Sequence, residues 1–416
     1  MAAAKASDDA KIPVTILTGF LGSGKTTLLN HLLTQEHGKK LAIIENEFGE
    51  VGIDDVLLAK NTKMQVEEQI IEMMNGCICC TVRQDLVVVL DKLAARIKAG
   101  TLTLDGIVIE TTGMADPAPV AQTFFVEQTV AKHFYLDGIV TVVDAKHIEQ
   151  HLDEVKPAGA ENEAVEQVAF ADRLLVNKTD LVSEEDLLRV EARLKSINAY
   201  AGIMRSCNSK VTVDCVLDLK AFDLKRTLEM DDAFLDTDAV HEHDTTVSSL
   251  SVTHVGSVDL DLVNQWMSSV LREKGADIYR MKGVLSIAGM SSKFMFQGVH
   301  MIVDGTFDDE ERWQEGEERK SMLVFIGKNL DHDELRTGFL ACVDSPEARA
   351  KKAKLLRFDV GDRVKCNADG WQVGTIVKLL YRTGIPSLPV APYQIQLDDG
   401  PLIYAPEDDD RVIQAL

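Results

Sequence analysis

The chain has 416 residues, with 67 Asp and Glu against 44 Lys and Arg, so its formal net charge is −23 at pH 7. A surface this acidic repels phosphate backbones, so we expect neither a nucleic-acid partner nor binding to an anionic membrane. The seven cysteines are an odd number, and three of them crowd into Cys77–Cys80, which is poor disulfide geometry and favours a reducing compartment. The sequence shows no signal-peptide core and no apolar run of membrane length, so we expect a cytoplasmic protein.

We expect residues 1–11 to be disordered, and from Ile12 onwards short apolar strands alternate with helical stretches. The predicted strands are Ile12–Thr18, Lys40–Ile44, Gly106–Glu110, Gly138–Val143, Arg173–Val176 and Lys210–Val213. The predicted helices are Lys25–Thr34, Leu86–Lys98, Ala118–Lys132 and Glu184–Ile197. Near-continuously apolar strands that alternate with helices predict an α/β domain over residues 12–225, built on a doubly wound, mostly parallel sheet.

The second half of the chain changes character twice. Residues 226–246 are rich in acids and predict a linker, and residues 247–344 predict a smaller α+β domain. In that domain the predicted strands are 248–255, 283–288, 294–303 and 321–327, and the predicted helices are 260–274 and 331–342. A second linker covers 345–357, and short alternating strands broken by Gly, Pro and Asp predict a small five-stranded, β-barrel-like module over 358–416.

A phosphate-binding motif, G-x-x-x-x-G-K-[ST], stands at Gly19–Thr26 between the first predicted strand and the first helix. Glycines let successive backbone N–H groups turn towards phosphate oxygens, and the helix N-terminus adds partial positive charge. The Lys25 side chain would reach the β- and γ-phosphates in a catalytic role, and the Thr26 hydroxyl would ligate Mg²⁺. The predicted phosphate contacts are Gly19, Gly22, Ser23, Gly24, Lys25, Thr26 and Thr27.

Two further strand ends complete a nucleotide site. Asn177-Lys178-Thr179-Asp180 predicts guanine recognition, because a carboxylate accepts two hydrogen bonds that guanine offers and adenine does not. At Glu110-Thr111-Thr112-Gly113, we expect Glu110 near Mg²⁺ as a catalytic acid and the Gly113 N–H near the γ-phosphate. The nucleotide is therefore predicted to be GTP, with GDP as the product.

Thiolates of Cys77, Cys79 and Cys80 predict a transition-metal site, with Zn²⁺ favoured and Co²⁺ or Cu(I) as alternatives. Three ligands leave a position open for exchange, whereas structural zinc sites are closed by four. A redox dithiol and buried structural cysteines are the other interpretations. Acids of the run 45–50 could contact Mg²⁺, position water or complete the metal site; Glu47 is the predicted catalytic acid and Glu45 the predicted fourth metal ligand.

The remaining metal-ligand candidates are weaker. His241 and His243 could capture metal from the linker, or could simply be solvated. The other cysteines are scattered and are interpreted as small core residues: Cys207, Cys215, Cys342 and Cys366.

Together these motifs resemble the CobW-like family of P-loop GTPase metallochaperones. The resemblance spans about residues 12–343 and includes Tyr279-Arg-Met-Lys-Gly283, which looks like the start of that family's C-terminal domain. It implies that the cysteines carry a cargo metal, that GTP controls loading and release, and that an apo-metalloprotein receives the metal. Residues 1–11 lack the cysteine-proline docking motif of the members that activate methionine aminopeptidase, which puts that client in doubt.

Other functions stay open at this point. A nucleotide-gated zinc sensor or buffer would hold metal without transferring it, a cobalt-handling GTPase would carry another cargo, and assembly as a homo-oligomer is compatible with all three. A small-molecule kinase disagrees with the guanine motif at 177–180. The segment from Phe358 resembles a small β module appended to various algal proteins and adds no chemistry to the prediction.

Overall fold

The computed structural model describes residues 11–35, 37–45, 69–72, 81–157, 162–219, 221, 247–368, 370–381 and 390–416. Within these ranges the chain forms three sheets, one for each part that the sequence distinguishes. No helix in the described ranges has the combination of length and apolarity that crossing a membrane would take.

The first sheet has seven strands in the order β3-β2-β4-β1-β5-β6-β7, and its neighbours run parallel. Its strands are β1 (Ile12–Thr18), β2 (Leu41–Glu45), β3 (Gln69–Glu72), β4 (Gly106–Glu110), β5 (Phe134–Asp144), β6 (Arg173–Asn177) and β7 (Gly202–Arg205). The helices of this part are α1 (Lys25–Thr34), α2 (Thr81–Lys98), α3 (Ala118–Val126), α4 (Gln128–His133), α5 (Ile148–Leu152), α6 (Glu163–Phe170) and α7 (Glu184–Ile197). The predicted parallel α/β fold is confirmed.

Two apolar layers cover the faces of this sheet because its buried strands present apolar side chains to both sides. Leu28, Leu29 and Leu32 of α1 pack on the face that includes Leu17. Helices α2, α3, α6 and α7 pack on the opposite face, which includes Ile16. The strand ends are therefore fixed by a core on each side, and the loops that follow them gather at one edge.

The second sheet is antiparallel, in the order β11-β10-β9-β12-β8. Its strands are β8 (Val247–Val255), β9 (Ile278–Leu285), β10 (Ser292–Val299), β11 (Ile302–Arg312) and β12 (Lys320–Lys328), and its helices are α8 (Leu260–Lys274) and α9 (His332–Leu340). After helix α10 (Pro346–Ala353), a third antiparallel sheet has the order β16-β15-β14-β13-β17. Its strands are β13 (Arg363–Asn367), β14 (Trp371–Tyr381), β15 (Ala391–Leu397), β16 (Leu402–Ala405) and β17 (Ile413–Ala415).

Several predicted elements are wrong in detail. The strand predicted at Lys210–Val213 is wrong, because residues 210–212 have no regular structure and Val213 begins a short 3₁₀ helix, Val213–Cys215. The helix predicted at Ala118–Lys132 is divided at Glu127, whose backbone is extended. The strand predicted over 294–303 is a hairpin, because His300 takes a left-handed conformation with φ of 52°. Helix α10 lies in the segment predicted as the second linker, where Ser345 accepts a capping hydrogen bond from Ala348 N.

Candidate functional site

The phosphate-binding loop connects the buried strand β1 to helix α1. Gly19 and Gly24 have φ of 139° and 111°, and a Cβ at Gly19 would lie 2.2 Å from the Val142 carbonyl oxygen. Both positions therefore require glycine. The Lys25 side chain is buried and its Nζ donates to the carbonyl oxygens of Gly19 at 2.7 Å and Phe20 at 3.3 Å, so the ammonium group lies inside the loop.

The buried Ser23 hydroxyl has no hydrogen-bond partner within the described part of the chain. A buried polar atom is costly unless it is paired, and a phosphate oxygen held in the loop would pair it. The donor set of backbone amides, Ser23 and Lys25 therefore suits a nucleotide phosphate. Thr26 and Thr27 occupy the first turn of α1, partly exposed and exposed respectively, where a hydroxyl can reach a phosphate-bound cation.

Asn177, at the end of β6, ties the base-recognition segment to the phosphate loop. Its Nδ2 donates to the Ser23 carbonyl oxygen and to Ser209 Oγ, both at 2.9 Å, and its Oδ1 accepts from Ser209 N at 2.8 Å. The Ser209 hydroxyl in turn donates to the Gly24 carbonyl oxygen at 3.0 Å. Since Asn177 is only 2% exposed, these bonds fix the two loops relative to each other.

Lys178 adopts the left-handed conformation, with φ of 59°, and its Nζ donates to Asp144 Oδ2 at 2.7 Å. His147 Nδ1 lies 3.0 Å from the same oxygen, and Lys146 N donates to Asp144 Oδ1. Burial opposes ionisation of Asp144, but these hydrogen bonds outweigh it and lower the pKa of the carboxyl group. Asp144 therefore remains anionic at neutral pH and holds the Lys178 side chain in place.

Asp180 is exposed in the 3₁₀ turn Thr179–Leu181, which leaves its carboxylate accessible to a base. Cys207 Sγ donates to Asp180 Oδ1 at 3.1 Å, and this hydrogen bond is the largest cause of a raised pKa for the thiol. Interpreting Cys207 as a small core residue was wrong, because it is partly exposed beside Asp180; Cys342 and Cys366 are buried as expected. Sequence spacing gave no signal for Cys207, since the turn at 208–209 brings it to the loop.

The Glu110–Gly113 loop leaves β4 next to the phosphate loop. Thr111 N donates to the Leu17 carbonyl oxygen at 2.9 Å, and Thr111 Oγ1 donates to Thr18 Oγ1 at 2.8 Å. A Cβ at Gly113 would lie 2.7 Å from the backbone N and Cα of Leu21, so only glycine permits this approach. The buried side chain of Gln167, which no motif marks, donates to the carbonyl oxygen of Gly113 and to that of Ala115, just after the loop.

The predicted metal ligands Cys77, Cys79 and Cys80 lie outside the described residues, as do the catalytic candidate Glu47 and both linker histidines. Glu45 is described as the last residue of β2, without its side chain. Within the ranges that the structure describes, no group of three His, Cys, Asp or Glu side chains is placed to hold a metal ion. The described residues thus include the nucleotide half of the predicted site, and the cysteine half lies outside them.

Comparison with known proteins fits this arrangement. Residues 13–205 match the family "CobW/HypB/UreG, nucleotide-binding domain" and residues 247–343 match the "Cobalamin synthesis protein cobW C-terminal domain". The chain is 36% identical over 328 residues to "Zinc chaperone YjiA" of Escherichia coli (strain K12), covering 79% of this chain and 98% of that protein. The chain belongs to the CobW/HypB/UreG family.

Other relatives agree with that assignment. "Zinc-regulated GTPase metalloprotein activator 1" of Dictyostelium discoideum is 33% identical, over 78% of each chain. The crystal structure of Zn(II)-bound YjiA GTPase from E. coli superposes with a TM-score of 0.59 at 29% identity, covering 80% of this chain and 99% of that one. The prediction of a P-loop GTPase of the CobW-like family is confirmed.

Proposed function

We propose that this GTPase carries Zn²⁺ on Cys77, Cys79 and Cys80 and transfers it to a client apo-metalloprotein under the control of the bound nucleotide. The observation that supports the proposal is that the parallel strands β1 to β4 all end at the same edge of the first sheet. In the strand register Glu45 pairs with both Glu72 and Glu110. The chain therefore leaves β3 towards the cysteine triplet at the same sheet edge as the phosphate loop and the Glu110–Gly113 loop.

The described residues support the nucleotide half of the proposed mechanism. Amides of the phosphate loop and the Lys25 ammonium group hold the phosphates, and Asp180 recognises the guanine edge. The Thr26 hydroxyl would help to hold the Mg²⁺ that accompanies GTP, and that ion would supply positive charge against the negative charge that develops on the phosphates. Gly113 lies against Leu21 of the phosphate loop. The presence of a γ-phosphate at that loop, and its loss on hydrolysis, would therefore change the position of Glu110–Gly113.

Zinc is the favoured cargo because one relative is a zinc chaperone and its crystal structure is that of a Zn(II)-bound GTPase. Thiolates are ligands that zinc accepts, and three of them leave an exchangeable position. If GTP tightens metal binding, metal must tighten GTP binding by the same factor, because the two equilibria are linked. Hydrolysis would then lower the affinity for zinc and favour ligand exchange with the client.

A competitive zinc titration with Mg²⁺ and either GTP or GDP tests the proposal. We expect one tight site that binds more strongly with GTP and disappears in a Cys79→Ser/Cys80→Ser variant. Cys215→Ser is the matched control, since that thiol is partly buried, shares a hydrogen bond with the Thr212 hydroxyl and lies outside the cysteine triplet. Zinc affinity that ignores the nucleotide would refute the gating.

A transfer assay separates a chaperone from a sensor or buffer. The zinc-loaded protein is mixed with an apo-metalloenzyme in the presence of a competing chelator, and enzyme activation is followed with GTP or GDP. Activation beyond that given by the same concentration of free zinc, and only with hydrolysable GTP, supports transfer. Equal activation by free zinc would leave a zinc-holding GTPase instead.

A further inference from the structure

Gln167 is a buried glutamine on α6 that holds the Glu110–Gly113 loop from behind. Its Nε2 donates to the carbonyl oxygens of Gly113 and Ala115, each at 3.2 Å, and the residue is 1% exposed. The helix itself is fixed on the sheet at the same point, because Thr141 Oγ1 donates to the Gln167 carbonyl oxygen at 2.6 Å. The loop position is thus set by a side chain outside every sequence motif.

The last residue of α6, Phe170, contacts the C-terminal domain. The Phe170 carbonyl oxygen accepts a hydrogen bond from Arg280 Nη1 of β9. The Phe170 ring packs against Tyr279 and His300, with ring centroids 5.8 and 5.1 Å apart. One helix of eight residues therefore has the Gly113 loop at one side chain and the C-terminal domain at its last residue.

A second contact joins the two parts beyond the loop. Gln122 of α3, the helix that follows the Gly113 loop, donates through Nε2 to the Val299 carbonyl oxygen at 3.4 Å. Val299 ends strand β10 just before the His300 turn, so the same hairpin of the C-terminal domain meets both α3 and α6. Movement of the Gly113 loop cannot leave these contacts unchanged, because packed interiors deform little.

We propose that Gln167 is a positioning residue for GTP hydrolysis, which holds Gly113 at the phosphate loop and connects that loop through α6 to the C-terminal domain. This inference rests on the proposed role of Gly113 as the γ-phosphate sensor. The amide supplies two N–H donors to two carbonyl oxygens, a pairing that no apolar or anionic side chain can reproduce. It acts on the loop and does not touch the nucleotide.

The test compares Gln167→Met, which keeps the length of the side chain, with Gln167→Glu, which places a carboxylate against two carbonyl oxygens. Single-turnover GTP hydrolysis and the affinity for a fluorescent GDP are measured on the full chain, with Gln150→Met as the control because Gln150 is exposed on α5. Two lost hydrogen bonds correspond to a fall in the hydrolysis rate of roughly 5- to 150-fold. We expect Gln167→Glu to fall further, and GDP affinity to stay within about twofold in both variants because the phosphate and base loops are untouched.

The outcomes separate this inference from the function on which it rests. Unchanged hydrolysis in Gln167→Met, or hydrolysis and GDP affinity that fall together, would overturn the positioning role. Gly113→Ala is measured alongside, since its Cβ would collide with Leu21. If Gly113→Ala stops hydrolysis while Gln167→Met does not, only the inference fails; full hydrolysis in Gly113→Ala would remove the proposed sensor itself.

Discussion

Arg280 makes a buried ion pair between the GTPase domain and the C-terminal domain, and its removal should be measurable as lost stability. Its Nη2 donates to both carboxylate oxygens of Asp172, at 2.6 and 2.7 Å, and Lys282 Nζ also contacts that carboxylate. The side chains of Arg280 and Asp172 are only 3% and 7% exposed. Burial opposes ionisation of Asp172, but the charges of Arg280 and Lys282 outweigh it and lower its pKa.

Arg280→Met keeps the apolar length of the side chain and removes the cation. Breaking a buried ion pair by removing one partner costs about 3–5 kcal/mol, because the remaining charge is left buried. The matched control is Arg272→Met on α8, whose side chain is 74% exposed and should contribute less than about 1 kcal/mol. Lys282 remains near Asp172, so we expect a value towards the lower end of the range for Arg280→Met.

The assay is urea unfolding of the full chain, followed by far-UV circular dichroism and by tryptophan fluorescence. All three tryptophans, Trp266, Trp313 and Trp371, lie beyond the GTPase domain, so fluorescence reports on the C-terminal parts alone. Loss of the buried pair should lower the unfolding free energy and also separate the two transitions, since the domains would no longer unfold together. A free energy for Arg280→Met within about 1 kcal/mol of the Arg272→Met value would refute the reasoning.

Three further predictions use the same structure. Asp180→Asn should weaken the binding of GTP roughly 10- to 150-fold and that of xanthosine triphosphate far less, measured by competition with a fluorescent GDP. Equal losses of affinity for the two nucleotides would contradict the predicted contact between Asp180 and the base. Gly24→Ala should weaken the binding of GTP and of GDP alike by about tenfold or more, because φ is 111° and the new Cβ would lie 2.4 Å from Asn177 Nδ2. Gly100→Ala is the control for backbone strain alone, because Gly100 has φ of 70° and open space around its Cβ position. Burial lowers the pKa of Lys282 to about 8 from 10.5, so between these pH values the unfolded chain binds more protons than the folded chain, and the free energy of unfolding rises with pH by up to about 3 kcal/mol. A Lys282→Met variant should lack that rise in urea unfolding, and a constant difference in unfolding free energy from wild type between about pH 7.5 and about pH 10 would contradict the shift.

Much of the fold is readable from the sequence because its strands are short, apolar and followed by motif loops. Ile12–Thr18, Gly106–Glu110 and Glu184–Ile197 are predicted with the bounds that the structure shows. Strand β3 was missed because its sequence, Gln-Ile-Ile-Glu, holds only two apolar residues. The hairpin at His300 was missed because its turn residue is a left-handed histidine, without the glycine or proline that usually marks a turn.

The candidate site also has a part that the sequence predicts and a part that only the folded structure reveals. The phosphate loop and the guanine segment are local motifs, so spacing alone predicts them. Asn177 was predicted to contact the nucleotide, but its hydrogen bonds to the Ser23 carbonyl oxygen and to Ser209 could not be predicted, because Ser209 lies in a turn 32 residues later in the chain. Gln167 lies 54 residues from Gly113 and follows no period or motif, so only the folded structure brings the two together.

The contacts of the C-terminal domain explain how it could respond to the nucleotide without touching it. It meets α3, which begins just after the Gly113 loop, and α6, whose Gln167 holds that loop. Through Arg280 it also meets Asp172, the residue before β6, and that strand ends at Asn177 of the guanine segment. A shift of the C-terminal domain must therefore act on elements connected to both loops.

By linkage, a partner that binds this domain more tightly in the GTP state must strengthen GTP binding by the same factor. Such a partner would raise GTP affinity over GDP affinity, and the Gln167→Met variant should reduce that difference because its loop is no longer held by α6.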